Sequence, residues 1–304
     1  MTASSPLKIR ATLIGGIAIL LWALLALFTT WAKGIPTFQL LMLSFTIAFL
    51  SGFIILACQG KEKLSKLKQR PLIWLISVGG LFGYHLFYFI ALHNAPAVEA
   101  SLIAYLWPLL IVFFSALLPG ERLYWFHVAG TLLGLAGAIL IVTKGQSFSL
   151  NPEHTIGYLA AITCALTWSG YSVVNRKFSH VPSEAVTGFC GATALLGLIC
   201  HLMTESWITP NLTQSVAILA LGLGPVGLAF FVWDYGTKHG DIQVLGALSY
   251  AAPLLSTLVL ISAGLAETSW IIAIACLLIV GGALLASVKI LRSHKSKPMS
   301  HPAT

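Results

Sequence analysis

Charge is what this chain has least of. Asp, Glu, Lys and Arg make up 9% of its 304 residues, hydrophobic residues make up 58%, and the mean hydropathy is +0.91. A soluble domain carries about 25% charged residues. A fully water-facing surface is therefore excluded, and the chain must be solvated by lipid. The net charge of +8 could point to nucleic acid. The basic residues, however, sit in short runs between apolar stretches, so the partner they imply is the anionic face of a bilayer.

The parts of intramembrane enzymes are missing. There is no His-Glu-x-x-His for a zinc protease. Thr167-Trp168-Ser169-Gly170 lacks the leading glycine of a serine-type site, and the two aspartates, Asp234 and Asp241, fall at helix ends rather than mid-membrane. No Walker A loop is present either, so the chain is not itself an ATPase. With these parts absent, a non-enzymatic protein is expected, with no metal and no cofactor. The five cysteines, Cys58, Cys164, Cys190, Cys200 and Cys276, lie in apolar stretches without metal-like spacing and read as reduced packing residues. The alternating apolar-out, polar-in pattern of a membrane barrel is also absent.

What the chain has is long apolar runs. Ten candidate spans are predicted, at Ala11–Trp31, Thr37–Ala57, Leu72–Leu92, Pro96–Leu118, Tyr124–Thr143, Gly157–Phe178, Glu184–Thr204, Ser215–Tyr235, Asp241–Ala263 and Thr268–Ile290. Each is near the roughly 20 residues a helix needs to cross the hydrocarbon core. Lys8 and Arg10 before an apolar run could mark a secretory signal, but the run is long and Trp22 has a partner at Trp168, so a retained first helix is expected. Joints carry breakers such as Gly34-Ile35-Pro36, Asn94-Ala95-Pro96 and Pro119-Gly120. The Lys61–Arg70 loop reads as an amphipathic turn lying at the membrane surface, and the tail Ser293–Thr304 as disordered. No stretch outside the spans is long enough for a second domain.

The runs repeat. Trp22 and Pro36 recur 146 positions later as Trp168 and Pro182; Tyr105, Pro108 and Gly137 recur 145 positions later as Tyr250, Pro253 and Gly282. The chain thus divides into a five-helix unit, Met1–Gln146, and a second copy, Ser147–Thr304. An odd number of crossings places the second copy upside down. The fold expected is an all-α polytopic membrane protein of ten helices, built as two inverted five-helix repeats around a central cavity. That is the plan of a transporter whose halves rock about a midplane site. With both termini in the cytoplasm, 15 Lys and Arg fall inside and two, Lys33 and Lys144, outside. The bias fixes the expected orientation.

Mid-membrane positions are aromatic or neutral-polar. Trp22 and Trp168 are central in helices 1 and 6. Tyr84, His85 and Tyr88 share helix 3, and Tyr105, Trp107 and Pro108 share helix 4, matched by Ser249, Tyr250 and Pro253 in helix 9. Trp and Tyr normally gather at the lipid interface. Packing is the plainer reading of any single one, but an inverted axis would set Trp22 against Trp168 and Tyr105 against Tyr250 across one volume. These residues are therefore the expected substrate-binding set. His85 reads either as a hydrogen-bonded structural residue or as a binding or proton-linked one. Asn94 and Asn175 read as helix-end hydrogen-bonders, and Asp234 is spaced to pair with Lys238. Gly79-Gly80 and Gly83 on helix 3 and Gly222, Gly224, Pro225 and Gly227 on helix 8 are expected weak points. Gly83, Pro108, Gly224, Pro225 and Pro253 are the candidate hinges, with packing the alternative for each glycine. Gly130 and Gly134 on helix 5 and Gly281-Gly282 on helix 10 mark close helix contacts. No acidic or basic residue lies mid-span, so facilitated export without a coupling ion is the simplest expectation.

Ala100–Leu109, ending near Gly120-Glu121-Arg122, together with the five-plus-five pattern, resembles the drug/metabolite transporter superfamily and its EamA-type members. The second half keeps Ala247–Leu254 and Ala266-Glu267, with Ala266 where the pattern has glycine. The Tyr105-Leu106-Trp107-Pro108 run and the helix-3 Tyr-His pair are similar to the YddG-type aromatic amino acid exporters. The resemblance implies export of a small-molecule substrate, an aromatic or other neutral amino acid, across a bacterial inner membrane through an aromatic-lined cavity. An exporter of cationic drugs or other metabolites, a channel-like permease and a structural membrane protein remain open.

Overall fold

A computed structural model describes residues 6–147 and 150–288. The basic tail, Lys289 to Lys297, and the Ser293–Thr304 segment lie outside the described residues. Among the described residues every regular element is helical. Inside lipid a backbone must pair its own N–H and C=O groups, and a helix does so within one segment.

We number the main helices α1 (Pro6–Trp31), α2 (Thr37–Cys58), α3 (Pro71–Asn94), α4 (Ala97–Ser115), α5 (Trp125–Thr143), α6 (Thr155–Asn175), α7 (Ser183–Thr204), α8 (Leu212–His239), α9 (Ile242–Ser262) and α10 (Trp270–Ala286). Among the described residues eight of these are long and apolar enough to cross a membrane; α10 is apolar but shorter. The tenth, α6, has 21 residues, but carries Thr, Ser, Tyr and Asn along its length and falls short on apolarity rather than on length. Much of that polar surface is buried against neighbouring helices: Ser169, Ser172 and Asn175 are all enclosed.

Four of the helices are interrupted. α1 breaks at Ala23-Leu24, α4 at Tyr105-Leu106 and α9 at Ser249-Tyr250, while α8 carries a π-helical turn at Gly224–Leu228. Proline explains three of the four. Pro108, Pro225 and Pro253 have no N–H to give the carbonyls four residues earlier, Ala104, Leu221 and Ser249. The chain responds by tightening: Leu106 N–H donates to Ile103 O at 3.1 Å and Ala252 N–H to Ser249 O at 3.1 Å, each a three-residue step. The paired weak points expected in helices 3 and 8 are only half present. α8 is distorted, but α3 runs unbroken through Gly79, Gly80 and Gly83. Gly79 faces open space, while Gly80 and Gly83 admit neighbours. A Cβ on Gly80 would meet the Tyr171 ring at 2.4 Å, and one on Gly83 would meet Thr167 Cγ2 at 3.3 Å.

The most extensive helix pairings are α5 with α10, α3 with α6, α2 with α7 and α1 with α8. Small residues set the approach. A Cβ on Gly130 would meet the Gly282 carbonyl oxygen at 2.4 Å, and one on Gly282 would meet the Gly130 oxygen at the same distance. Gly15 of α1 and Gly236 of α8 touch in the same reciprocal way. Gly281, by contrast, faces open space. Where lipid offers no hydrophobic drive between helices, such close backbone contacts supply the packing energy.

Candidate functional site

Breaking α1, α4, α8 and α9 near their middles leaves a cavity of about 530 Å³. Its residues come from the half of the bundle that contains the turns around Ala32–Pro36 and Ala95-Pro96, so it opens toward that end. Trp22, Tyr84, His85, Tyr88, Tyr105, Trp107, Trp168 and Pro225 all line it. Among the described lining residues none is Asp, Glu, Lys or Arg.

The base of the cavity is a cluster of tryptophans from four helices. Trp22 of α1 lies edge-on to Trp168 of α6, with ring centroids 5.8 Å apart, and to Trp107 of α4 at 6.2 Å. Trp233 of α8 sits beneath, 5.0 Å from Trp22 and 5.8 Å from Trp107. Phe230, one helical turn away, touches Trp22 and Trp168. Edge-to-face pairs of this kind contribute about 0.5–1.5 kcal/mol each beyond their burial. The polar ends of the rings are occupied. Trp22 Nε1 donates to the Pro225 carbonyl at 3.1 Å, and Trp233 Nε1 donates to Ser172 Oγ at 3.2 Å. The first of these bonds ties the α1 break to the α8 π turn.

The wall is α3. Tyr84 stacks on Tyr88 at 6.1 Å and leans on Trp168 at 5.4 Å. Tyr88 Oη and Ser101 Oγ share a hydrogen bond of 3.0 Å. His85 is enclosed by Phe45, Phe89 and Phe230. Its Nδ1 lies 2.7 Å from the Leu81 carbonyl, which can only accept, so Nδ1 carries the proton. In the neutral ring Nε2 is then left as a bare acceptor. Ser44 Oγ, also on the lining, is buried with no hydrogen-bond partner in the protein.

Several expected site residues lie elsewhere. Ser249 and Tyr250 are fully enclosed and do not reach the cavity. The Tyr250 ring packs over Gly134, where a Cβ would meet it at 2.9 Å, so Tyr105 and Tyr250 do not face one another. The turn at the α9 break rotates both side chains away, and Ala252 and Ser256 take their place in the lining. Gly83, Pro108, Gly224 and Pro253 are likewise off the lining; Pro108, Gly224 and Pro253 adjoin the helix breaks. Phe230, Trp233, Ser44 and Ser101 were not singled out from sequence. The spacing of three between Phe230 and Trp233, just after Pro225, is the signal that could have found the first two.

The other end of the bundle is closed by polar contacts. Asp234, only 1% exposed, accepts from Asn175 Nδ2 at 2.8 Å, Ser183 Oγ at 2.5 Å and Lys238 Nζ at 2.8 Å. A buried carboxylate is tolerated only with such full pairing. Arg176, at the end of α6, donates to Glu121 at 2.7 Å and to the carbonyls of Thr237 and Gly240. Lys8 pairs with Asp241 at 3.1 Å and lies 3.7 Å from Glu121. Burial would raise the Asp241 carboxyl, but the Lys8 ammonium and the Val244 N–H outweigh it and hold the group below its ordinary value. Asn94, at the opposite end, donates to Ile90 O as a helix-end bond.

The profile of the EamA-like transporter family matches this chain twice, over residues 10–143 and 155–288. The chain belongs to the EamA-like transporter family. It is thus a multi-pass membrane transporter. Within the family it is 53% identical over 279 residues, 91% of this chain and 97% of the other, to a protein of Ancylobacter novellus named aromatic amino acid exporter YddG. It is 28% identical over 299 residues, 91% of this chain and 96% of the other, to the protein of that name from Escherichia coli strain K12. A crystal structure 52% identical in sequence superposes with a TM-score of 0.88, over 94% of this chain and 100% of that one.

Proposed function

We propose that the protein exports aromatic and other neutral amino acids from the cytoplasm across a bacterial inner membrane, by alternating access around the tryptophan-floored cavity. The observation that carries this is the lining itself: aromatic on its floor and one wall, with hydroxyls and an imidazole but, among the described lining residues, no Asp, Glu, Lys or Arg. An aromatic side chain stacks on Trp22, Trp168 or Tyr84 for about 0.5–1.5 kcal/mol beyond burial. The ammonium rests on a ring face for about a further 0.5–2 kcal/mol and donates to His85 Nε2. The carboxylate takes the hydroxyls of Tyr88, Ser101 and Tyr105. Without a charged partner binding is weak, which suits release. The 53% identical relative named as an aromatic amino acid exporter supports the substrate class.

The two halves, 1–146 and 147–304, act as inverted repeats in this reading. Exchanging each helix for the one five later maps α1–α8 onto α6–α3, and maps α2–α7 and α5–α10 onto themselves, so the set of principal pairings is unchanged. The equivalent helices α5 and α10 run antiparallel, since Gly130 meets Gly282 while Gly137 meets Ala275. Orientation follows the Lys and Arg bias: both termini and the Asp234 and Arg176 contacts face the cytoplasm, and the cavity faces out. Pro108, Gly224, Pro225 and Pro253 border the joints that flex, while the unbroken α3 moves as a rod.

Radiolabelled phenylalanine flux into proteoliposomes tests the reading. Saturable uptake with counterflow, competed by phenylalanine and threonine rather than by a quaternary ammonium compound, is the expected result. Competition by the quaternary ammonium alone would assign a cationic substrate instead.

A further inference from the structure

A second concavity, about 570 Å³, lies on the outside of the bundle between α2, α3 and α7. Phe49, Phe53 and Trp74 form its sides, and Gly188 and Gly191 its floor. The glycines are what admit the rings. A Cβ on Gly188 would meet Trp74 at 2.8 Å, and one on Gly191 would meet Phe49 at 2.8 Å. The lining is apolar apart from Thr46, and it ends on Leu67 of the loop between α2 and α3.

That loop is the most basic segment of the chain, with Lys61, Lys63, Lys66, Lys68 and Arg70 against Glu62. It is clamped over the groove rather than free. Lys66 Nζ contacts Glu184, at the start of α7, at 2.5 Å, and Lys63 lies 3.6 Å from the same carboxylate. Among the described residues Lys61, Lys68 and Arg70 are exposed and have no ion-pair or hydrogen-bond partner for their side chains. Lys68 follows the lining residue Leu67. Arg70 is the N-cap of α3, at the end of the helix whose first turn carries the lining residue Trp74.

We propose that this groove is a binding site for an anionic phospholipid. One acyl chain lies along Phe49, Trp74 and the Gly188–Gly191 floor, and the phosphate rests on Lys68 and Arg70. The charge complementarity names the occupant. An apolar trough that ends at a clamped loop bearing two unpaired cations, Lys68 and Arg70, fits a molecule with a chain at one end and an anion at the other. Basic residues at a membrane surface attract anionic lipid. A zwitterionic lipid would fill the trough but leave the cations unmatched. The site lies outside the transport cavity, so the inference does not depend on which substrate is carried.

Native mass spectrometry tests it. The full-length protein is relipidated with equal amounts of phosphatidylglycerol and phosphatidylcholine of matched chains, then stripped stepwise. The wild type should retain the phosphatidylglycerol several-fold over the phosphatidylcholine. Lys68→Gln with Arg70→Gln should bring the ratio to parity while total bound lipid changes little, and Arg70→Lys should keep the preference. Ala192→Phe, which fills the trough, should lower retention of both lipids. Lys177→Gln, which removes an exposed cation elsewhere, should leave the ratio as it is. Parity in the wild type overturns the proposal. So does a preference that survives the double substitution, a loss of preference in Lys177→Gln as large as in the double variant, or undiminished lipid on Ala192→Phe.

Discussion

Trp22 and Trp168, separated by 146 positions, meet edge to face with their centroids 5.8 Å apart. They join one half of the chain to the other at the base of the cavity. The Trp22 ring also holds the Pro225 carbonyl through its N–H. The α8 π turn, freed from regular pairing by proline, is therefore pinned to α1 by an aromatic side chain that also lines the cavity.

Removing either ring should weaken transport. Trp22→Ala or Trp168→Ala loses several aromatic contacts of about 0.5–1.5 kcal/mol each, and about 1.4 kcal/mol is a factor of ten. A rise in KM of roughly tenfold or more is expected in proteoliposome flux, at unchanged amounts of inserted protein. Trp22→Phe, which keeps a ring but loses the bond to Pro225, should fall between. Full activity in both alanine variants would remove the cavity from the pathway.

Transport should not require a proton gradient. Among the described lining residues none carries a carboxyl or an ammonium, and the proton on His85 Nδ1 is committed to the Leu81 carbonyl. Initial phenylalanine flux should thus be the same within error with and without an imposed pH difference. His85→Ala should raise KM by removing the Nε2 acceptor and leave that insensitivity in place. A gradient-dependent wild type that becomes independent in His85→Ala would make the histidine a proton carrier.

The closed end should loosen without Arg176. Its guanidinium joins Glu121 to the last carbonyls of α8, and hydrogen bonds to charged groups contribute about 1.5–3 kcal/mol. In Arg176→Gln, amide hydrogen exchange across Gly240–Val244 should speed up by roughly tenfold or more. Exchange along α5 should not change, because α5 meets none of these groups through Arg176.

Acid should act on the same end through Asp241. Its folded-state carboxyl lies below the ordinary value, so the stabilisation it contributes is present above about pH 4 and is lost as pH falls through the lowered value. Thermal unfolding in detergent should show a decline below about pH 4 that is smaller in Asp241→Asn, which gives up that stabilisation at every pH. An equally steep decline in the variant would assign the acid sensitivity to other carboxyls.

Two neighbouring glycines on α10 should behave differently. A Cβ at position 282 meets backbone at 2.4 Å, so Gly282→Ala should cost about 1–3 kcal/mol by overpacking and lower the unfolding temperature. Gly281 has nothing within 4 Å of a new Cβ. Gly281→Ala should be neutral or slightly stabilising, by up to about 1 kcal/mol from helix propensity.

Composition and periodicity alone made this a lipid-solvated bundle. Apolar runs of helix length leave the backbone no other way to satisfy itself, so the positions of the helices were legible to within about five residues at each end. The recurrence of Trp22 at Trp168, 146 positions on, was legible too, because both fall near the middle of an apolar run. α6 was legible as a helix, but the reason it carries Ser172 and Asn175 was not, since those two side chains find their partners on α8, at Trp233 and Asp234. Which aromatic residues share a cavity was decided by tertiary structure. Proline predicts where a helix breaks, but the turn that results determines where the following side chains point. At Tyr105 that turn leaves the ring on the cavity, and at Tyr250 it drives the ring into the notch at Gly134. Phe230 lines the site, with Trp233 buried beneath it, because α8 crosses beside α1, an approach that two glycines far apart in sequence, Gly15 and Gly236, make possible. A local pattern specifies each helix; only the packed bundle specifies which faces meet.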